Sequence, residues 1–160
     1  RSIKKIIINN LEKDIAKKYQ ILSPSDISLQ NMVKYKKVIK YLDFEYFGWD
    51  DPVKLVSDFT WHPSVNLNRS LILKWYSAMA DMFSDDKDFC KRFSISHSLY
   101  GIRWILILLN EFNLNSIKKI KNVSRQDKNL NLLKKKYQLK KAKKMFNFIY
   151  KQSKFNYNLF

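Results

Sequence analysis

The sequence PSDISLQNMVKYKKVIKYLDFE, residues 24–45, holds the polar residues and the strand pattern from which the architecture follows. Asp26 is followed five residues later by Asn31, and Asp43 comes twelve residues after Asn31. Between them, apolar and β-branched residues at 32–35 and 38–42 predict a short β-hairpin. Because a hairpin brings its two ends to one rim, we expect the three polar side chains to converge.

Such a set of side chains suits phosphoryl transfer. In that reaction one carboxylate orients and deprotonates the attacking hydroxyl, and oxygen ligands hold Mg²⁺ against the phosphates. The spacing by itself is also typical of ordinary loops, because Asp and Asn cap helices and form turns.

The polar residues belong to an ordered run of motifs. Pro24–Asn31 is followed by Asp43-Phe44-Glu45, then by Gly48-Trp49-Asp50-Asp51-Pro52 and Asp58-Phe59. The run resembles the aminoglycoside phosphotransferase and choline kinase-like family. The corresponding family patterns are H-G-D-x-x-x-x-N, D-F-[DE] or D-x-[DE], and G-x-x-D-P-x-x-D-[LF]. The resemblance covers about residues 5–63.

The resemblance implies both a fold and an activity. The fold is the C-terminal lobe of a protein-kinase-like protein, and the activity is transfer of the γ-phosphoryl group of ATP to a small-molecule hydroxyl. The acceptor would be a sugar, an amino alcohol or an aminoglycoside, and the cofactors would be ATP and Mg²⁺. Asp26 corresponds to the catalytic base. Asn31 and Asp43 correspond to the magnesium ligands that contact the nucleotide, and Glu45 to a possible third metal contact.

The chain departs from the family pattern at two positions. Pro24 stands where the family has His, and Ser25 stands where it has Gly. A proline can stiffen the loop because its φ angle is fixed. We expect Asp51 to be structural, capping a helix that begins at Pro52, since proline is tolerated at a first helical position.

The sequence contains only two glycines, Gly48 and Gly101. A kinase site also needs a Gly-rich loop over the phosphates and a strand lysine that grips them. Neither can be formed from these residues. We therefore expect the chain, which starts at Arg1, to be the C-terminal lobe of a longer protein and to be inactive alone. A free-standing small domain is the alternative.

The net charge of +17 is unevenly distributed. Residues 113–160 contain 14 Lys and Arg but one acidic residue. Apolar residues recur at helical spacing between these lysines, so the pattern predicts an amphipathic helix with a solvated basic face. Attraction to nucleic acid or to an anionic membrane surface is the less favoured interpretation.

Three functions therefore compete. The first is a small-molecule kinase, and the second is a pseudokinase or binding module that kept the fold without turnover. The third is a basic helical nucleic-acid binder, whose affinity would fall steeply with salt.

The activity that the resemblance implies fits a protein of the cytoplasm, where ATP is present. Cys90 is alone, so no disulfide within the chain and no zinc spacing is possible. The longest apolar run, residues 104–109, is far shorter than the roughly 20 residues that a membrane span needs. It predicts a buried core helix.

The pattern along the chain predicts an α+β fold that is mainly α, with one small hairpin. Residues 1–63 would carry the catalytic and metal motifs and residues 64–160 a helical subdomain, together forming one lobe. We expect helices at 11–19, 52–61, 68–83 and 96–112, a short one ending at 93, and a long one from Ser124 to Tyr150. His62 is expected to be a helix-end group, and His97 to lie at a helix start.

Overall fold

The computed structural model describes residues 15–113 and 125–154. It contains four strands and four α-helices, with short 3₁₀ turns between some of them. The strands are β1 (Ile21–Ser23), β2 (Met32–Tyr35), β3 (Val38–Tyr41) and β4 (Gly48–Asp50). The helices are α1 (Pro52–Trp61), α2 (Arg69–Met82), α3 (Phe89–Leu109) and α4 (Arg125–Lys154). The predicted α+β class, mainly α, is confirmed.

Contacts within the chain define two compact units, one up to Tyr100 and one from Gly101 onward. The helix predicted at 11–19 lies partly outside the described residues, and Lys17–Tyr19 forms a 3₁₀ turn. Ser124, the predicted cap of the last helix, also lies outside them.

The predicted hairpin is present. Strands β2 and β3 pair antiparallel, with Met32 opposite Tyr41 and Tyr35 opposite Val38. Lys36, the first residue of the two-residue turn, has a φ of 53°. A positive φ at this position matches the right-handed twist of the flanking strands. The register places the residues that precede β2 beside those that follow β3.

A second two-stranded sheet corrects the expectation of a single hairpin. Strand β1 pairs antiparallel with β4, with Ile21 opposite Asp50 and Ser23 opposite Gly48. Each strand has only three residues, too few to show a period of two, and the partners are far apart in the sequence.

Helix α1 has the bounds that its sequence predicts. The Asp51 side chain accepts a hydrogen bond from the Val53 amide, and Pro52 occupies the first helical position. The helix ends at Trp61 because His62 precedes Pro63, and the residue before a proline is driven out of the helical region. His62 is accordingly extended, with φ of −60° and ψ of 129°.

The core of the first unit forms where α1, α2 and α3 meet. Its buried members are Val53, Val56, Tyr76, Met79, Phe89 and Phe93. On α2 only some of the apolar residues face the core. Met79 is buried and Trp75 partly buried, but Leu71, Leu73 and Met82 are exposed.

Helix α3 is continuous where two helices were predicted. The cap expected at residues 84–86 is present, because Asp86 accepts from the Asp88 amide through its side chain and from the Phe89 amide through its carbonyl. No break follows Phe93, since the residues there have neither glycine nor proline until Gly101. His97 therefore lies inside a helix, not at its start.

His97 is buried in a polar and aromatic cluster. Its Nε2 atom lies 2.8 Å from the Tyr76 hydroxyl and its Nδ1 atom 3.1 Å from the Ser57 hydroxyl. The indole N–H of Trp61 donates to the His97 carbonyl at 2.8 Å, and the Trp61 ring stacks on the imidazole. Burial lowers the pKa of His97 to about 3. Burial also raises the pKa of Tyr76 to about 12, although the hydrogen bond with Thr60 opposes this.

The cluster predicts a loss of stability in mild acid. Between about pH 6.5 and pH 3 the unfolded chain binds a proton at His97 that the folded chain does not, so the free energy of unfolding falls as the pH falls. Because of His97, the free energy of unfolding should be roughly 2 kcal/mol lower at pH 5 than at pH 7. Urea unfolding at the two pH values measures it. The His97→Gln variant should show a pH dependence weaker by that amount, and an equal dependence in both proteins would contradict the assignment.

The second unit contains the C-terminal part of α3 and the helix α4. Ile105, Leu108, Ala142 and Ile149 are buried, and the Lys134 ammonium lies 2.7 Å from the Glu111 carboxylate. The apolar run at 104–109 is only half buried, because Leu106 and Ile107 are exposed. On α4 the apolar residues predicted to pack also include exposed members, among them Leu132, Leu133 and Phe146. No helix of the described residues is long and apolar enough to cross a membrane.

Candidate functional site

The loop that carries Asp26 follows β1 directly and makes a sharp turn. The Asp26 amide donates to the Pro24 carbonyl at 2.7 Å, which closes a three-residue turn around Ser25. Ser25 at its centre has a φ of 64°, in the left-handed region that favours glycine. The turn is held by the Ser23 hydroxyl, which accepts from the Ser25 amide at 3.0 Å. The tight turn sets the direction of the next residue, Asp26.

Asn31 is joined to the Asp26 loop through its side chain. The Asn31 amide group donates through Nδ2 to the Asp26 carbonyl at 3.3 Å. Because the nitrogen is used in this way, the other amide atom, Oδ1, is the one that a cation would bind. The structure thus joins the Asn31 side chain to the Asp26 backbone, and convergence of the two side chains on one ion stays a prediction.

The hairpin brings the third predicted residue to the same end. The Leu42 amide donates to the Asn31 carbonyl at 2.8 Å, which extends the ladder of β2 and β3 by one position. Asp43 is the next residue, so it lies immediately beyond the strand end that pairs with Asn31. Two hydrogen bonds, one from the Asn31 side chain and one to its carbonyl, therefore connect Asp26, Asn31 and the segment of Asp43.

Asp43 and Glu45 lie in an exposed turn. Asp43 has a φ of 64°, a left-handed conformation that Asp and Asn adopt more readily than most residues. Its Oδ1 atom accepts from the Glu45 amide at 3.4 Å. The Glu45 side chain is exposed, and its predicted role as a third metal contact stays a prediction.

The two oxygen atoms of Asp26 have different surroundings. Oδ1 is buried and has no hydrogen-bond partner among the described residues. The side chain as a whole is 36% exposed, so its exposure comes from the remaining atoms, which include Oδ2. The closest charged or titratable neighbour that the geometry shows is His62, whose Nε2 atom lies 3.7 Å from Oδ1.

A lysine of α1 supports the same loop. The Lys54 ammonium donates to the Ser25 hydroxyl at 2.6 Å and forms a short ion pair with Asp50. It also lies 4.0 Å from the buried carboxylate of Asp58. Lys54 therefore ties the turn at Ser25 to the end of β4 and to the first turns of α1.

A magnesium ion at these loops would have to be bound partly by a substrate. Within residues 15–113 and 125–154, no three His, Cys, Asp or Glu side chains form a metal site. Mg²⁺ is usually held by one or two protein carboxylates together with substrate phosphates, not by an all-protein cage. The carboxylate of Asp43 and the amide oxygen of Asn31 are the groups that would take part in such a shared site. Both supply the hard oxygen ligands that Mg²⁺ prefers.

An apolar groove lies elsewhere, in the second unit. It has a volume of about 330 Å³ and is lined by residues of the α3 C-terminus and of α4, including Ile105, Leu109 and Phe146. None of the four predicted site residues lines it.

Comparison of the chain with protein-family models, with curated proteins and with solved structures found no match. The assignment of the site therefore depends on the geometry of these loops and on the motif resemblance.

Sequence reasoning missed two members of the site, Lys54 and His62. Lys54 contacts a residue 29 positions earlier, and His62 approaches Asp26 across 36 positions. No periodicity links residues so distant. A partial signal was present at His62-Pro63-Ser64, where proline at the second position predicts a turn. The turn is formed, because the Val65 amide donates to the His62 carbonyl at 2.9 Å.

Proposed function

We propose that this chain carries the catalytic loop and the metal loop of an ATP-dependent phosphotransferase. The reaction transfers the γ-phosphoryl group to a hydroxyl of a small molecule, namely a sugar, an amino alcohol or an aminoglycoside. The observation that supports the proposal best is the pair of hydrogen bonds made by Asn31, one to the Asp26 carbonyl and one from the Leu42 amide. These bonds gather the three motif residues at one end of the hairpin.

Each residue has a role that fits its surroundings. Asp26 orients the acceptor hydroxyl and accepts its proton through the carboxylate oxygen that is not buried. Asn31 and Asp43 would hold Mg²⁺, with Glu45 as a third contact. The ion would neutralise charge on the phosphates that otherwise repels the nucleophile. Catalysis of this kind depends on positioning and electrostatics more than on covalent chemistry by the protein.

The two glycines of these 160 residues, Gly48 and Gly101, cannot form the Gly-rich loop of such an enzyme. The activity is therefore proposed for the full-length protein, the product of the complete reading frame, in the cytoplasm. The motif departures at Pro24 and Ser25 fit the proposal. Ser25 adopts the left-handed φ for which glycine is suited, and Lys54 holds its hydroxyl.

The test is magnesium-dependent ATP consumption by the full-length protein with a panel of hydroxyl acceptors. In the Asp43→Asn variant, the Mg²⁺ concentration for half-maximal turnover should rise by at least roughly 10- to 100-fold. Asparagine retains the size of the side chain and tolerates the left-handed backbone, so the fold should persist. The matched control is Asp81→Asn, an exposed carboxylate of α2 outside both loops.

Two outcomes would contradict the proposal. One is an Asp43→Asn variant with an unchanged Mg²⁺ requirement. The other is a wild-type protein that binds Mg²⁺-ATP but never consumes it, which is the behaviour of a pseudokinase.

A further inference from the structure

His62 lies at the end of α1, where the backbone fixes its position. Its amide continues the helical hydrogen bonding to the Asp58 carbonyl at 2.9 Å, and its carbonyl accepts from the Val65 amide. The side chain is nearly buried, with 9% exposure. A ring held between a helix end and a proline turn has little freedom to reorient.

The hydrogen bonds of the ring define its tautomer. The Ser64 amide donates to Nδ1 at 3.1 Å, and the Ser64 hydroxyl lies 2.6 Å from the same atom. A backbone N–H can only donate, so Nδ1 must be the acceptor. The proton of the neutral ring is consequently on Nε2.

That Nε2–H faces the buried oxygen of Asp26. The distance from Nε2 to Oδ1 is 3.7 Å, slightly beyond hydrogen-bond range. Hydrogen bonds in catalytic sites are often long before the substrate binds and shorten in the complex. A carboxylate oxygen that is buried without a hydrogen bond is costly, so a shift of Asp26 toward this donor is favourable.

We infer that His62 is the positioning residue for Asp26, holding Oδ1 through Nε2–H so that Oδ2 is directed to the acceptor hydroxyl. The inference rests on the proposed function, since it assigns Asp26 the role of base. Lys54, Asp50 and Asp58 surround the preceding turn at Ser25, and of the described contacts only that of His62 reaches the Asp26 carboxylate. His62 would thus support the Asp26 loop from the end of α1. The family's histidine position within the loop is occupied by Pro24 in this chain.

Two substitutions of His62 separate this role from a purely structural one. In His62→Gln, the side-chain amide nitrogen occupies the position of Nε2 and can donate to Asp26. In His62→Asn, the shorter side chain can accept from the Ser64 amide at the position of Nδ1 but cannot reach Asp26. The two variants therefore differ in whether they supply a hydrogen-bond donor to Asp26, and both keep a polar side chain at the end of α1.

We expect kcat of the full-length His62→Asn variant to fall roughly 10- to 100-fold, as is typical when the partner that orients a functional group is lost. The His62→Gln variant should retain kcat within roughly threefold. KM for ATP should be unchanged in both, because His62 touches no predicted nucleotide ligand. Equal kcat losses in both variants, or wild-type kcat in His62→Asn, would overturn the inference. Thermal unfolding of both variants identifies a loss that comes from misfolding.

A measurement that does not depend on turnover tests the contact itself. In ¹⁵N NMR of the His62 ring, Nε2 should be protonated and Nδ1 unprotonated at neutral pH, and Asp26→Asn should shift the Nε2 resonance while Asp81→Asn should not. A protonated Nδ1, or an Nε2 resonance indifferent to Asp26, overturns the inference and leaves the proposed function standing. Conversely, the NMR contact combined with full activity of Asp26→Asn refutes the proposed function.

Discussion

Replacing Asp26 by Asn is expected to reduce turnover of the full-length protein roughly 10²- to 10⁴-fold, the usual contribution of a positioned general base. An amide has the shape of the carboxylate but cannot take the proton of the acceptor hydroxyl. The substitution should leave the turn at Ser25 intact, because that turn depends on backbone atoms and on the Ser23 and Lys54 side chains. Steady-state assays of ATP consumption with a saturating acceptor measure the effect.

The assay needs two comparisons. Asp81→Asn controls for the loss of one negative charge on the protein surface, and KM for ATP reports whether the nucleotide site is intact. A fall in kcat with unchanged KM for ATP is the expected pattern, since it marks an interaction made mainly in the transition state. Turnover that survived in Asp26→Asn would remove the residue from the catalytic role.

The largest expected effect on stability comes from Arg92. Its guanidinium contacts Asp51 at 3.0 Å and Asp86 at 2.6 Å, so it joins the residues that cap α1 and α3. Burial lowers the pKa of Arg92, but the hydrogen bonds to Asp86 and Asp51 outweigh burial and hold the pKa above its usual value. Asp86 is 6% exposed and would be left without its partner if the guanidinium were removed.

We expect Arg92→Met to lower the free energy of unfolding by roughly 2–4 kcal/mol. This is less than the loss of a fully buried pair, since Arg92 and Asp51 keep about a fifth of their side-chain exposure. Arg92→Lys should lose part of that stability, because lysine keeps the charge but cannot form the same bidentate contacts. Urea unfolding at neutral pH provides the measurement.

Lys91→Met is the matched control, since Lys91 is the exposed neighbour on the same helix. Its free energy of unfolding should stay within roughly 0.5 kcal/mol of the wild type. A loss of stability as small as this in Arg92→Met would contradict the prediction. It would mean that Asp51 and Asp86 cap α1 and α3 without help from the guanidinium.

The elements that the sequence predicted well are those with local signals. Helix α1 has a capping Asp51, a proline at its first position and Pro63 after its end, and its bounds match the prediction. The hairpin has β-branched strands on either side of a two-residue turn. The spacing of Asp26 and Asn31 did not by itself indicate the hydrogen bond from the Asn31 amide to the Asp26 carbonyl, because the same spacing is typical of ordinary loops.

The predictions that were wrong or missing concern features decided by tertiary packing. Helix α2 is apolar on several sides, so its sequence did not single out a buried face. Its inner stripe is formed by Ile72, Trp75, Tyr76, Met79, Ala80 and Phe83, at helical spacing, whereas Leu71 and Leu73 fall outside it. His62 and Lys54 were missed for a related reason, since their partners in the Asp26 loop are distant along the chain.

The hairpin is attached less firmly than the loop before it. Every residue of β3 is exposed, as are Asp43 and Glu45, while the Asp26 loop is fastened to α1 through Lys54 and approached by His62. The two halves of the site therefore have unequal mechanical support. Under the proposed function, the half that would accept the proton is fixed by the folded chain, and the half that would receive the cation is the exposed one. An incoming nucleotide would then complete the site, which predicts that nucleotide binding precedes productive docking of the acceptor.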